Sequence, residues 1–212
     1  MSGSQVRQGQ TRRELLVRGA AGLSGVALLE AAGAGAVVDP ETAEAATTSS
    51  ALDVDRLERL IDIEQLLLYC YDAILLSRVS GPRMHHALRP LRAQEVAHIA
   101  ALTHQLRLRG GTPPPPPTSA EVANHRLGHR KIGGRLGQLK GAKDALRLLL
   151  TLEQTAVGAY YVALTMLDDQ PLIKLLCSIM ANDAQHQTMI NLQLNRGNAA
   201  ISVPYGLVAG LH

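Results

Sequence analysis

Residues 181–189 read ANDAQHQTM. Asp183 and His186 stand three apart in a run whose apolar residues, Leu172, Leu176, Ile179, Ile190 and Leu194, recur at helical spacing. An acid and an imidazole therefore lie on the stripe that a helix turns toward its core. An unpaired carboxylate is costly to bury, so a helix carrying one there needs compensating charge nearby.

The same anomaly recurs on three other stripes. From 53 to 77, Leu57, Leu60, Ile61, Leu67, Leu68, Tyr71, Ile74 and Leu75 follow a 3.6-residue period, and Glu64 interrupts them. Gly81-Pro82 ends that helix. A second stripe, Leu88, Leu91, Ile99, Leu102 and Leu106, carries Glu95 and His98 and stops at Gly110-Gly111. Because proline suits only a first turn, this helix is expected to begin around Pro90. A third, from 142 to 167, carries Glu153 among Leu146, Leu149, Leu150, Val157, Tyr160 and Leu164. The fourth runs from 171 to 195, after a DDQP turn and before Gly197. Residues 110–141, rich in Pro, Gly and charge, read as a crossover with one short helical piece near 120–127.

Two helical hairpins with tight turns, joined by a connection long enough to return along the bundle, predict an all-α four-helix bundle over 53–197. The hairpins echo one another. Glu64-Gln65 matches Glu153-Gln154, and Tyr71 and Tyr160 each follow their Glu by seven positions.

Composition agrees with a single helical domain. The chain has 212 residues, 46% of them hydrophobic, with five Tyr and neither Phe nor Trp, so Leu, Ala, Ile and Val must fill the core. Net charge is +3, and the basic surplus is too mild and scattered to argue for nucleic acid, so no nucleic-acid partner is expected. His125 and His129 lie in a basic, solvated loop, and His85, His86 and His104 have no evident partners.

The N-terminal segment reads as an address. TRRELLVRGAAGLSGVALL, at 11–29, sets Arg12-Arg13 before a weakly apolar Ala/Gly/Leu stretch, and Ala43-Glu44-Ala45 offers a small-x-small cleavage site. This resembles a twin-arginine export signal over 1–45, followed by a linker at 46–52; the stretch is too polar for a good membrane anchor. Export across the cytoplasmic membrane would permit a disulfide between Cys70 and Cys177. The bundle argues against one, because it puts them on opposite sides of the level of the acids.

On Glu64, Glu95-Val96-Ala97-His98, Glu153 and Asp183-Ala184-Gln185-His186, the chain resembles the ferritin-like superfamily of di-metal carboxylate proteins. In those bundles one Glu from each of two helices joins a Glu-x-x-His pair from each of the other two. The resemblance implies that Glu64, Glu95, His98, Glu153, Asp183 and His186 bind two iron ions, or manganese in their place, with Asp183 standing where a Glu is usual. With the leader, it is most similar to exported ferritin-like domain proteins of bacteria. The electrostatics point the same way, because two divalent cations cancel four buried carboxylates that would otherwise raise one another's pKa values.

Tyr71 and Tyr160 either assist the carboxylates as hydrogen-bond donors or redox partners, or fill the core and rest their hydroxyls on a site Glu. Gln65, Gln154 and Gln187 adjoin the ligands in sequence, on neighbouring helix faces. The expected function is redox chemistry at a di-metal centre, such as Fe(II) oxidation or peroxide consumption. The alternatives are a non-catalytic envelope or stress scaffold and an iron-storage cage. The expected partners are metal ions and the export machinery.

Overall fold

Five helices run through residues 40–203, which the computed structural model describes: α1 (Pro40–Leu76), α2 (Pro82–Leu108), α3 (Ala120–His129), α4 (Ala142–Leu164) and α5 (Gln170–Leu194), then a 3-10 turn at Ala199–Ile201. The expected export signal falls almost wholly in 1–39, and the end of the expected C-terminal tail, 198–212, falls in 204–212, both outside the described residues. None of the described helices is long and apolar enough to cross a membrane.

Two helix starts differ from expectation. The segment 46–52, expected as a linker, is helical and part of α1. Pro40 takes the first helical position, and the Glu- and Ala-rich residues after it favour the helix. α2 begins at Pro82, with Gly81 as N-cap, and runs through Pro90 instead of starting there. Pro90 is exposed, so the carbonyl it leaves without a partner can turn to water. The buried stripe continues across it as Met84, Leu88, Leu91, Glu95, His98, Leu102 and Leu106.

α2 closes on the glycine pair. Gly110 sits at φ +78°, and the N–H of Gly111 donates to the Leu106 carbonyl at 3.0 Å, closing the last turn. A Cβ on Gly111 would come within 2.2 Å of Leu106 Cδ1, so the buried Leu106 side chain would have to shift to admit one.

The short turns make α1/α2 and α4/α5 antiparallel hairpins, which join through α1 against α4 and α2 against α5. Two aliphatic clusters fill the bundle. One gathers Leu66, Leu67 and Ile74 with Leu88, Leu148, Leu149 and Ile190; the other gathers Leu57, Leu60 and Ile61 with Leu102, Leu106, Tyr160, Leu172 and Leu176. The C-terminal half of α1 thus meets the N-terminal half of α4 and the C-terminal part of α5, so α1 and α5 are parallel. Cys70 is buried in the first cluster, Cys177 is exposed on the N-terminal half of α5, and both are free thiols.

The crossover is braced against the first hairpin. Arg126 of α3 and Arg130 at its C-cap both donate to Asp62 on α1, at 2.7 and 2.5 Å. Gln65 Nε2 donates to the Pro114 carbonyl at 2.9 Å, so this side chain holds the proline run and does not face the acids. His125 and His129 are exposed on α3, as expected of a solvated stretch.

Candidate metal centre

Between the two aliphatic clusters the bundle buries six ionisable side chains. Glu64, Glu95, Glu153 and Asp183 are 0% exposed, His186 1% and His98 7%. Each helix of the four delivers its acid at mid-height, and the two i, i+3 pairs put acid and imidazole on one helix face. Two overlapping groups result, Glu64/Glu95/His98/Asp183 and Glu95/Glu153/Asp183/His186, and within each the donor atoms lie within 4.8 Å of one another. Glu95 and Asp183 belong to both. The shorter side chain of Asp183 therefore still reaches both groups.

The outward bonds of these residues fix which atom of each faces in. Tyr71 on α1 donates to Glu153 Oε1 on α4 at 2.5 Å, and Tyr160 on α4 donates to Glu64 Oε1 on α1 at 2.6 Å. The exchange is reciprocal between hairpins. Each tyrosine satisfies one carboxylate oxygen, while Glu64 Oε2 and Glu153 Oε2 remain buried without a hydrogen-bond partner.

The histidines are held by the same crossed logic. His98 Nε2 lies 2.9 Å from Asn182 Oδ1, and His186 Nε2 lies 2.6 Å from Gln94 Oε1. The amide oxygens can only accept, so each ring keeps a proton on Nε2, and Nδ1 faces inward, where it offers a lone pair once it sheds its own proton. The rings stack at 19° with centroids 5.9 Å apart. Glu95 spans them, with Oε2 3.3 Å from His98 Nδ1 and Oε1 2.8 Å from His186 Nδ1. The second contact is short, yet both atoms lack a hydrogen bond, because the ring N–H direction misses the oxygen. Atoms that crowd together without bonding are converging on a common point.

Asp183 gives the same indication. Oδ1 lies 3.3 Å from His98 Nδ1, and neither of its oxygens has a hydrogen-bond partner. A buried polar atom left unsatisfied costs about 1–3 kcal/mol, more if charged. A folded core does not accumulate six of them around one point without a partner to satisfy them.

The electrostatics follow from crowding. Burial, then the neighbouring Glu64, Glu153 and Glu95 charges, push Asp183 well above the usual carboxylate range. Burial pushes Glu95 up to about 8, against the pull of the two histidines. Burial also raises Glu153. Glu64 goes the other way: burial opposes its charge, but the neighbouring His98, with Nδ1 3.7 Å from Oε2, and Glu95 outweigh it. Burial opposes charge on the histidines too, yet the facing carboxylates win and raise His98 to about 10 and His186 to about 9. Without cations, the cluster is thus balanced by protons.

The six ligating candidates named from the sequence are all brought together, and the tyrosines rest their hydroxyls on site carboxylates. Gln187 touches the centre only through the Glu153 backbone carbonyl, at 3.3 Å, and Gln154 is half-buried. Sequence reasoning missed Gln94 and Asn182. Their signal was present as an amide directly before the acid in both pairs, Gln94-Glu95-x-x-His98 and Asn182-Asp183-x-x-His186.

Comparison with known proteins agrees with the geometry. None of the curated proteins matches the chain. The crystal structure of a conserved hypothetical protein, rv2844, from Mycobacterium tuberculosis is similar in fold, with a TM-score of 0.56 and 19% identity, covering 70% of this chain and 93% of that one. The family model of the ferritin-like domain matches residues 43–196, which is most of the chain. With four helices converging on a buried acid and histidine cluster, this chain belongs to the ferritin-like domain family.

Proposed function

We propose that the protein binds two iron or manganese ions at this centre and uses them in redox chemistry, with Fe(II) oxidation or peroxide consumption as the reaction. The observation that carries the reading is the pair of donor groups sharing Glu95 and Asp183, whose unpartnered atoms face one another. Carboxylate oxygens with imidazole nitrogen form a donor set suited to these metals. Glu64 and His98 serve one ion, Glu153 and His186 the other, and Glu95 and Asp183 lie within reach of both. When bound, such ions would supply one-electron redox chemistry at the centre.

The chain's own residues do the positioning. Tyr71 and Tyr160 pin one oxygen of Glu153 and of Glu64 and so aim the other inward. Gln94 and Asn182 fix the imidazole tautomers. The aliphatic clusters above and below keep bulk water out, and each fully buried leucine contributes about 1.5–3 kcal/mol, which offsets the cost of holding charge there.

Metal content per chain, for protein purified without added metal, tests this directly. Wild type should carry close to two ions and Glu95→Ala none, and Fe(II) added to the metal-free wild type should consume oxygen. A wild type that holds neither iron nor manganese and gains no thermal stability from them is a scaffold.

We also propose export through a twin-arginine route, supported by Arg12-Arg13 and the stretch after them. A reporter fused behind residues 1–45 should leave the cytoplasm, and Arg12→Lys with Arg13→Lys should retain it.

A further inference from the structure

The centre is sealed unevenly. His186 is 1% exposed, whereas His98 is 7% exposed and forms part of the wall of a 340 Å³ cavity between α2 and α5, together with Ser178, Ile179, Ala181, Asn182 and Gln185. The two hairpins differ at two adjacent positions beside these rings. The amide and acid of the first hairpin are Gln94-Glu95; those of the second are Asn182-Asp183, each one methylene shorter. Gln94 extends far enough to close over His186, at 2.6 Å, while the shorter Asn182 holds His98 at 2.9 Å and leaves space beside it.

The cavity wall joins a hydroxyl, two amides and the His98 ring edge to the aliphatic side chains of Ile179 and Ala181, and four carboxylates lie behind it. Such a wall holds no carboxylate of its own that would trap a hydrated cation short of the centre. The acids beyond supply the attraction.

We propose that this cavity is the port through which divalent cations enter and leave the centre, with Asn182 as the latch that holds the His98 ring across its floor. The inference rests on the metal-binding reading above. The Glu64/Glu95/His98/Asp183 group adjoins the port and the group containing His186 lies behind it, so exchange runs in two phases.

The test is Mn²⁺ uptake by the full-length, metal-free chain, followed by loss of the free-ion EPR signal after mixing, and Mn²⁺ release into excess chelator. Ala181→Leu narrows the port from an exposed helical position without altering a ligand or the Asn182 bond. A barrier slows passage both ways and leaves the ratio of the rates unchanged. Uptake and release should each fall about tenfold while the Kd stays within about twofold. Ala93→Leu, at the matching exposed position of the first hairpin, should leave both rates at the wild-type value.

Equal rates in all three proteins overturn the port and leave the metal reading standing. So does weakened affinity in Ala181→Leu with an unchanged uptake rate. A wild type that takes up no Mn²⁺ overturns the metal reading and the port with it. If Ala181→Leu does not melt like wild type in the metal-free state, Ser178→Leu poses the same question from the neighbouring turn.

Discussion

The α1/α2 hairpin and the α4/α5 hairpin are two versions of one plan, and their differences are more instructive than their likeness. Each supplies a Glu, a tyrosine seven residues on, and an amide-acid-x-x-His run, and the tyrosine and amide bonds all cross to the other hairpin. Tyr71 serves Glu153, Tyr160 serves Glu64, Gln94 serves His186 and Asn182 serves His98. Neither hairpin can order the centre alone. The second departs from the plan by two methylenes, at Asn182 and Asp183, and the cavity lies on that side. The first departs by carrying Asp62, which anchors the crossover through Arg126 and Arg130.

The largest effects should come from the two acids common to both donor groups. Glu95→Ala and Asp183→Ala should each leave the chain with no bound metal, whereas Glu64→Ala and Glu153→Ala should each retain close to one ion. Elemental analysis of the four variants decides the matter, and a full complement in Asp183→Ala would show that the second hairpin contributes no bridging acid.

Next comes pH. His98 and His186 are raised from 6.5 to about 10 and about 9, and Glu95 from 4.5 to about 8, with Asp183 displaced the same way. A group whose folded pKa is raised contributes stability that is complete below its unfolded value and is lost as pH climbs through the folded one. Glu64, which is lowered, opposes this alone. The melting temperature of the metal-free protein should therefore fall between about pH 4.5 and about pH 10. With Mn²⁺ bound the decline should vanish, and binding near neutral pH should release protons into an indicator dye, because cations replace them at His98 and His186.

The tyrosines test the symmetry at smaller scale. Tyr71→Phe and Tyr160→Phe each leave a buried carboxylate oxygen short of its donor and should cost about 1–3 kcal/mol in denaturant unfolding, by similar amounts. Unequal losses would mean that the crossed bonds are not equivalent. Smallest is Asp62→Asn, which loosens α3 from α1. That pair network is partly exposed, so about 0.2–1 kcal/mol is expected, with metal content unchanged.

Much of this was legible in the sequence because helical periodicity is a local signal. A charged residue on an apolar stripe stands out against it, so Glu64, Glu95, Glu153 and Asp183 could be identified with no knowledge of their partners. Pro90 misled because a proline inside a helix is tolerated when it faces water, and exposure is a tertiary property. Gln94 and Asn182 went unnoticed for a related reason: Gln94 is exposed and Asn182 only half-buried, and what singles them out is contact with a ring on the opposite hairpin, 92 and 84 positions away.

The sequence by itself determined the four rods, their polarity and the level at which each carries its acid, since spacing along a helix is fixed by 3.6 residues per turn. Only the tertiary structure decided which oxygen of each carboxylate turns inward, which nitrogen of each imidazole is free, and which side of the centre stands open. Those choices depend on bonds between residues far apart in the chain, made only once the two hairpins have closed on each other.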